Sequence, residues 1–337
     1  MEFFGLDIGS HNIKAVQLKK DKDKFQIIAF GSSPSTIKGL LSEAESDLVT
    51  LAESIKKLYQ DVKIKTRNVV TALPQDQVFT RVITLPHLSE EEIESALQWE
   101  AEQYIPIPLS EAILTHEVVG KSREDSKENI DVLLAATPKS LVEKTIKVLK
   151  MANLNPLSIE MEIISLARSL VGPDNQSVLV VDLGAKATDV AIIENGMVVL
   201  VYSIPTAGEA LTRAVSLELG LEASQSEAYK KSYGIDPEKL EGKISNAIKP
   251  ILNTIVNEIK KAIQFYQEKG KNIERVILSG GGAGLPEVNT FLARETGLEV
   301  QIGDPFGRIV EDGLLGKIPA QERVLYSVAV GLAMKEL

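Results

Sequence analysis

The sequence predicts an α/β protein of two related lobes with a small inserted subdomain, and three observations carry that expectation. The stretch Gly5-Leu6-Asp7-Ile8-Gly9-Ser10-His11-Asn12-Ile13-Lys14 runs from apolar residues into Asp-x-Gly, a polar turn and alternating apolar positions, the pattern of a β-hairpin. It returns in altered form about half the chain later, as Val181-Asp182-Leu183-Gly184-Ala185-Lys186-Ala187-Thr188-Asp189, which marks a duplication. Between the copies, residues 78–155 carry a strand and helix pattern of their own. The cleft between the lobes is the expected site.

Residues 1–77 read as the first part of lobe one. After the hairpin, Phe25 to Gly31 continues the strand pattern, Leu48 to Tyr59 is an amphipathic helix, and Val69 to Leu73 is a short buried strand. The charged run Lys19 to Lys24 is a hairpin tip, and Ser32 to Ser46 is a loop. The insertion at 78–155 is expected to be β-α-β-β-α. It begins with a strand from Val78 to Leu85, followed by a capping box, Ser89-Glu90-Glu91-Glu92, and a helix carrying Ile93, Ala96, Leu97 and Tyr104. Strands Ala112 to Val119 and Ile130 to Ala136 follow, separated by a charged loop from Gly120 to Asn129, and a helix from Pro138 to Met151 closes the unit. Trp99, the only tryptophan, is expected to pack, because aromatic residues make up only 5% of the chain. His11, His87 and His116 lack metal-ligand spacing and read as structural or exposed.

Residues 156–175 return to lobe one through the helix Glu162 to Leu170, and Gly172-Pro173-Asp174-Asn175 crosses to lobe two at 176–320. Val178 to Ser203 gives three strands and a turn at Glu194-Asn195-Gly196. Three helices follow, the longest from about Ile244 to Glu268, where Pro250 marks a kink or a later start. Arg275 to Ser279 is a strand feeding Gly280-Gly281-Gly282-Ala283-Gly284 and another helix. Leu285 stands where Gly-x-Gly-x-x-Gly needs its last glycine, so a dinucleotide Rossmann site is disfavoured, and no Walker A sequence occurs. Residues 321–337 form a closing helix that returns to lobe one.

Composition narrows the function. With 337 residues, 44% hydrophobic and 25% charged, the chain can bury the cores of two domains. A net charge of −10 argues against a nucleic-acid groove or a broad anionic-membrane footprint. There is no cysteine, hence no disulfide or thiol chemistry. No signal-peptide pattern opens the sequence and no apolar run nears the roughly 20 residues of a spanning helix, so membrane association is expected to go through a partner. The chemistry follows from the paired turns. Glycine lets each strand reverse sharply with its N–H groups inward, a nest for phosphate. Two facing carboxylates, Asp7 and Asp182, would repel a polyphosphate unless a divalent cation intervened. Magnesium nucleotide satisfies both demands.

Taken in order, the two Asp-x-Gly hairpins and Leu278-Ser279-Gly280-Gly281-Gly282-Ala283 resemble the two phosphate motifs and the adenosine motif of the actin-like ATPase superfamily. Within it the sequence is similar to the PilM family of type IV pilus assembly. The likeness is carried by Gly5 to Ser10, Glu100-Ala101-Glu102-Gln103-Tyr104-Ile105-Pro106, Ala207-Gly208-Glu209-Ala210-Leu211-Thr212-Arg213 and Ser279 to Gly282. The resemblance implies a duplicated actin-like (ribonuclease H-like) fold. It implies ATP, with Gly9, Ser10, Asn12 and Lys14 at the first phosphate turn and Gly184 and Thr188 at the second. Asp7 and Asp182 would hold Mg2+ through water, Gly208, Glu227 and Lys230 would lie at the ribose and adenine, and Gly280, Gly281 and Gly282 would pass under the nucleotide. Glu162 would position water for a slow ATPase, although Ile163 replaces the family's usual proline. Ala207 stands where a glycine pair is common, and Ser226 where alanine is usual.

The resemblance also implies a cytoplasmic scaffold of type IV pilus or related type II secretion assembly, with possible self-association, recruited to the inner face of the membrane by the amino-terminal tail of a PilN-like inner-membrane protein. That tail would lie in a groove between the insertion and lobe one. The alternatives are an FtsA-like filament or division protein and a small-molecule kinase of the same superfamily. FtsA-like chains usually add a linker and an amphipathic helix, whereas this sequence ends at Leu337, directly after the expected helix Glu322 to Met334. Kinases of the superfamily usually add a larger acceptor lobe. The scaffold is the expectation.

Overall fold

The computed structural model describes residues 1–21, 24–86, 88, 90–124, 127–171, 177–310 and 313–337. Lobe one is built from β1 (Phe4–Ile8), β2 (Asn12–Asp21), β3 (Lys24–Pro34), α1 (Glu45–Asp61) and β4 (Asn68–Leu73). The insertion contributes β5 (Phe79–Pro86), α2 (Glu90–Tyr104), β6 (Ala112–Glu124) and β7 (Lys127–Pro138), followed by α3 (Lys139–Met151), β8 (Asn155–Met161) and α4 (Glu162–Leu166). Lobe two has β9 (Ser177–Leu183), β10 (Thr188–Glu194), β11 (Met197–Ile204), α5 (Gly208–Leu219), α6 (Ala223–Tyr233) and α7 (Lys243–Glu268). It closes with β12 (Arg275–Ser279), α8 (Val288–Thr296) and β13 (Glu299–Ile302), and the chain ends through α9 (Ala320–Arg323) and α10 (Ser327–Ala333).

The duplication appears as identical topology. One sheet runs β3-β2-β1-β4-β8 and the other β11-β10-β9-β12-β13, each with an antiparallel meander followed by two parallel strands. The same comparison sets the limits of the insertion. In lobe two a single helix, α8, connects β12 to β13; in lobe one the corresponding helix before β8 is α3, so only β5, α2, β6 and β7 are extra. The expectation that this helix closes the insertion is therefore corrected. Leu141, Val148 and Leu149 of α3 are buried with Leu51, Ile55 and Leu58 of α1 in the core of lobe one. The inserted sheet, ordered β5-β7-β6, packs α2 on itself through Ile93, Leu97 and Ala101.

Further expectations change. The charged stretch around Gly120 is no open loop: β6 pairs with β7 as far as Glu124 opposite Lys127, with a bulge between Val118 and Gly120. Hairpin arms that face water need no apolar alternation. Trp99 does not pack, being 69% exposed. Pro250 lies inside α7, which runs from Lys243 without interruption. His87, the Ser89 of the capping box and the crossing at Gly172 to Asn175 lie outside the described residues.

Between the sheets lies a core that joins the lobes. Val70 and Ala72 come from the first sheet, Val178 and Val180 from the second, and Ile163, Leu166, Val328 and Leu332 from α4 and α10. Every residue of α10 is buried, as a helix apolar all round must be. It lies against α4 and against β1, the strand that delivers Asp7.

Candidate functional site

Both hairpin turns open onto one cleft of about 300 Å³, in the size range of small-molecule sites. Strand β1 delivers Asp7, and the four-residue turn after it brings Gly9, Ser10 and Asn12 to the wall, with Lys14 beyond. Strand β9 delivers Asp182 and the turn after it Gly184, α4 begins with Glu162, and Gly208, Glu227, Lys230 and Gly280 to Gly282 also line the cleft. In each turn a side chain on the glycine would press a backbone carbonyl, Asn12 O for Gly9 and Ala187 O for Gly184, both at 2.8 Å. Gly280 has φ +80°, the left-handed region that a side chain rarely tolerates.

The two hairpins share a register, and the register assigns charges. Asp7 faces Lys14 across the first, and Asp182 faces Asp189 across the second. Lys14 Nζ donates to Asp7 Oδ2 at 2.8 Å. The lysine expected at the phosphate turn is thus committed to the carboxylate expected to take magnesium. Burial would lower the Lys14 ammonium, but Asp7, with help from Asp182 and Glu162, raises it. The other carboxylates are poorly compensated. Burial pushes Asp182 up against the opposing pull of the neighbouring Ser279 hydroxyl and Lys14. Glu162 is held well above the usual carboxylate range by burial and by Asp7, Asp189 and Asp182. Burial raises Asp189 to about 7, although the Ser203 hydroxyl donates to it. Among the described residues no three His, Cys, Asp or Glu side chains come close enough to hold a metal directly.

At the other end, Glu227 and Lys230 share a helix face, as their spacing of three predicts. They are no solvated pair. Lys230 Nζ sits 2.6 Å from Glu227 and donates to Gly208 O and Thr212 Oγ1 at 2.9 Å, with only 7% of its side chain exposed. Burial would raise Glu227, but hydrogen bonds from Lys230 and Thr212 lower it to about 2. Burial lowers Lys230, with Glu227 opposing. Ser226 is fully buried beneath this cluster.

One expected residue misses the cleft. Thr188 is fully buried, and its hydroxyl donates to Thr206 O at 2.7 Å, which ties the second hairpin to the entry of α5 instead of facing a ligand. Among the lining residues that the sequence does not single out are Gln75, Asp76 and Asp189. Asp189 was accessible, because aligning the hairpin copies sets it at the place of Lys14. Nothing in the sequence marked Gln75, whose N–H donates to Glu162 Oε2 at 3.1 Å and whose buried Oε1 has no hydrogen-bond partner. His11 lies exposed at the mouth, 3.8 Å from Glu209 of lobe two, and Lys186 reaches across to Ile37 O at 3.3 Å.

The raised carboxylates set a pH dependence. A carboxylate whose folded pKa exceeds its unfolded value binds its proton more tightly in the native state, so its contribution is present at low pH and lost as pH rises. For Asp189 the window runs from 3.8 to about 7. Thermal denaturation of the ligand-free protein is expected to show stability falling through that window, by no more than a few kcal/mol at ~1.4 kcal/mol per unit. Asp189→Asn should flatten the slope and raise the melting temperature at pH 8. A slope unchanged by the substitution would contradict this origin.

A sequence profile of the family described as type IV pilus assembly protein PilM matches residues 5–337. The fold closely resembles that of a solved PilM-PilN type IV pilus biogenesis complex, with a TM-score of 0.86, 27% identity, and coverage of 99% of this chain and 98% of the other. MreB 5 of Spiroplasma citri, solved with AMPPNP, shares the fold at a TM-score of 0.54 and 15% identity, covering 98% of this chain and 94% of its own, and fits the two-lobe actin-like architecture. The cell division protein FtsA of Bacillus subtilis is 22% identical over 256 residues, which is 69% of this chain. The chain spans only about three fifths of the length of the curated relatives it matches, 58% and 61%.

Proposed function

Because the chain belongs to the PilM family of type IV pilus assembly proteins, we propose that it is an ATP-binding scaffold that holds the cytoplasmic tail of a PilN-like membrane protein and is brought to the membrane by it. The observation that carries this reading is the match to the PilM-PilN complex along essentially the whole chain, including the insertion. No helix among the described residues is long and apolar enough to cross a membrane.

Nucleotide in the cleft is supported by the convergence of both glycine turns on one cleft and by the AMPPNP in the MreB relative. The polyphosphate would lie against Gly9 to Asn12 and Gly184, with Glu227, Lys230 and Gly280 to Gly282 around the nucleoside. The uncompensated carboxylates fit a magnesium ion. Asp182, Asp189 and Glu162 would hold it with Asp7 through water, and when bound it neutralises charge on the phosphates. Burial and the neighbouring carboxylates raise Glu162, which opposes its acting as a general base on water. Hydrolysis is correspondingly slow, far below the ~10 s⁻¹ enzyme median, which a phosphate-release assay reads directly.

For the tail we select the groove where the insertion, lobe one and lobe two meet, with Ile164, Ala167, Met197 and Val198 as its apolar floor and Glu117 and Arg168 at its sides. An extended peptide seats alternate side chains in such a groove. A fluorescently labelled peptide of the partner's amino-terminal tail should give saturable polarisation below about 100 μM, an affinity of order 5 kcal/mol. Glu117→Trp, at an exposed position that can fill the groove, should weaken it at least tenfold. Absence of saturation at millimolar protein would refute tail binding, and an unaffected Glu117→Trp would move it elsewhere. Deleting the insertion for such a test has to stop at residue 138, since α3 belongs to the core of lobe one.

A further inference from the structure

The end of lobe one farthest from the cleft carries a charge opposite to that of the chain. Strands β1, β4 and β8 are parallel in sequence around β4, so they start at one end of the sheet and leave at the other. Their exits lead to Gly9, Pro74 and Glu162, all in the cleft wall. Their starts are bound together: Thr66 Oγ1 donates to Glu2 O at 3.0 Å, Asn155 N–H to Arg67 O at 2.8 Å, and Arg67 Nη1 to Asn153 Oδ1 at 3.4 Å. Helices α1 and α3 both run into this end. It therefore gathers Lys56, Lys57, Lys63, Lys65, Arg67 and Lys150, every one of them exposed. On the same segments stand the exposed carboxylates Glu2, Glu53 and Asp61, and Glu143 lines a surface pocket with Lys150. No carboxylate pairs with any of the six among the described residues, whereas Lys144 and Lys147 of α3 are paired with Glu43 and Glu45.

Helix capping does not account for the cluster. The last turn of α1 holds no basic residue, and only Lys150 falls in the last turn of α3. Lys65 and Arg67 lie on the connection to β4, where no helix end needs a cation. A local cluster of this sign in a chain of net charge −10 is a surface that an anionic partner can approach while the remainder of the protein is repelled. Basic clusters of this size adjacent to a membrane bind anionic headgroups, each residue adding roughly a fivefold factor within a Debye length of the surface. We infer that the basic end of lobe one rests on an anionic lipid surface, with the nucleotide cleft turned away from the bilayer. The inference goes beyond recruitment through a partner's tail and does not require it, because the contact belongs to the isolated chain.

The test is flotation of the full chain, without partner peptide, on vesicles of phosphatidylcholine alone and of phosphatidylcholine with about one quarter phosphatidylglycerol. Binding is expected to be at least tenfold greater on the anionic vesicles and to fall steeply with added salt. K56E/K57E/K65E should lower it more than tenfold, K63Q/K150Q by a smaller factor, and both should keep the wild-type melting temperature and ATP affinity, since the cleft lies at the other end. Equal binding to the two vesicle types, or anionic binding untouched by K56E/K57E/K65E, overturns the inference. So does tighter, equally salt-sensitive binding of a single-stranded RNA oligonucleotide through the same lysines. None of these outcomes bears on the labelled-tail titration, so the two readings fail separately.

Discussion

Lys14→Met is expected to destabilise the protein by about 3 kcal/mol at neutral pH and to abolish ATP binding. The Asp7 carboxylate is 5% exposed and has Lys14 as its ion-pair partner at 2.8 Å. Removing one member of a buried pair leaves an uncompensated charge, at ~3–5 kcal/mol in comparable cases. Asp182 and Glu162, which also feel the Lys14 ammonium, would lose that attraction, and a polyphosphate would then meet carboxylates with no resident cation. Chemical denaturation and calorimetry with magnesium ATP read the two consequences. Lys14→Met with wild-type stability and affinity would show that the ion pair is incidental to the site.

The second large effect concerns Gly331. A β-carbon there would stand 1.9 Å from the Ser165 carbonyl oxygen, so α10 and α4 are in backbone contact. The opposite face of α10 is equally close, since a β-carbon on Gly5 of β1 would lie 2.2 Å from Ala329 O. The helix is wedged between a strand that carries Asp7 and a helix that begins with Glu162. Gly331→Ala cannot be absorbed by rotating a side chain and is expected to cost at least ~3 kcal/mol, the upper end for overpacking. It should also weaken nucleotide binding by shifting Glu162 relative to Asp7. A denaturation midpoint within error of wild type would mean that the helices slide freely.

Much of this architecture was legible because local chemistry and duplication agreed. Asp-x-Gly followed by alternation defines a hairpin wherever it occurs, and finding it twice implied two sheets, which proved identical in strand order. The fate of α3 was not legible: the stripe of Leu141, Val148 and Leu149 says that the helix packs but not against what. Trp99 was misread by residue type. It stands two positions after Leu97, about 200° around the helix from that buried residue, and the Ile93, Leu97 and Ala101 stripe already defined the inner face. At the site, the glycines and carboxylates were readable from turn geometry. The Lys14 to Asp7 pair follows from hairpin register alone, whereas Gln75 depends on how β4 and α4 meet, which no local pattern encodes. Thr188 was placed in the turn, but Asp189, its neighbour in β10, lines the cleft in its stead.

We propose above all that the cleft between the two hairpins holds ATP together with a divalent cation. Isothermal titration of ATP into the full chain tests it directly, in magnesium and in excess chelator, for the wild type and Asp182→Ala. One saturable site per chain in magnesium, with affinity reduced at least tenfold by the chelator and by the substitution, is the result this structure leads to. Equal affinity in all conditions, or no heat at all, would contradict it.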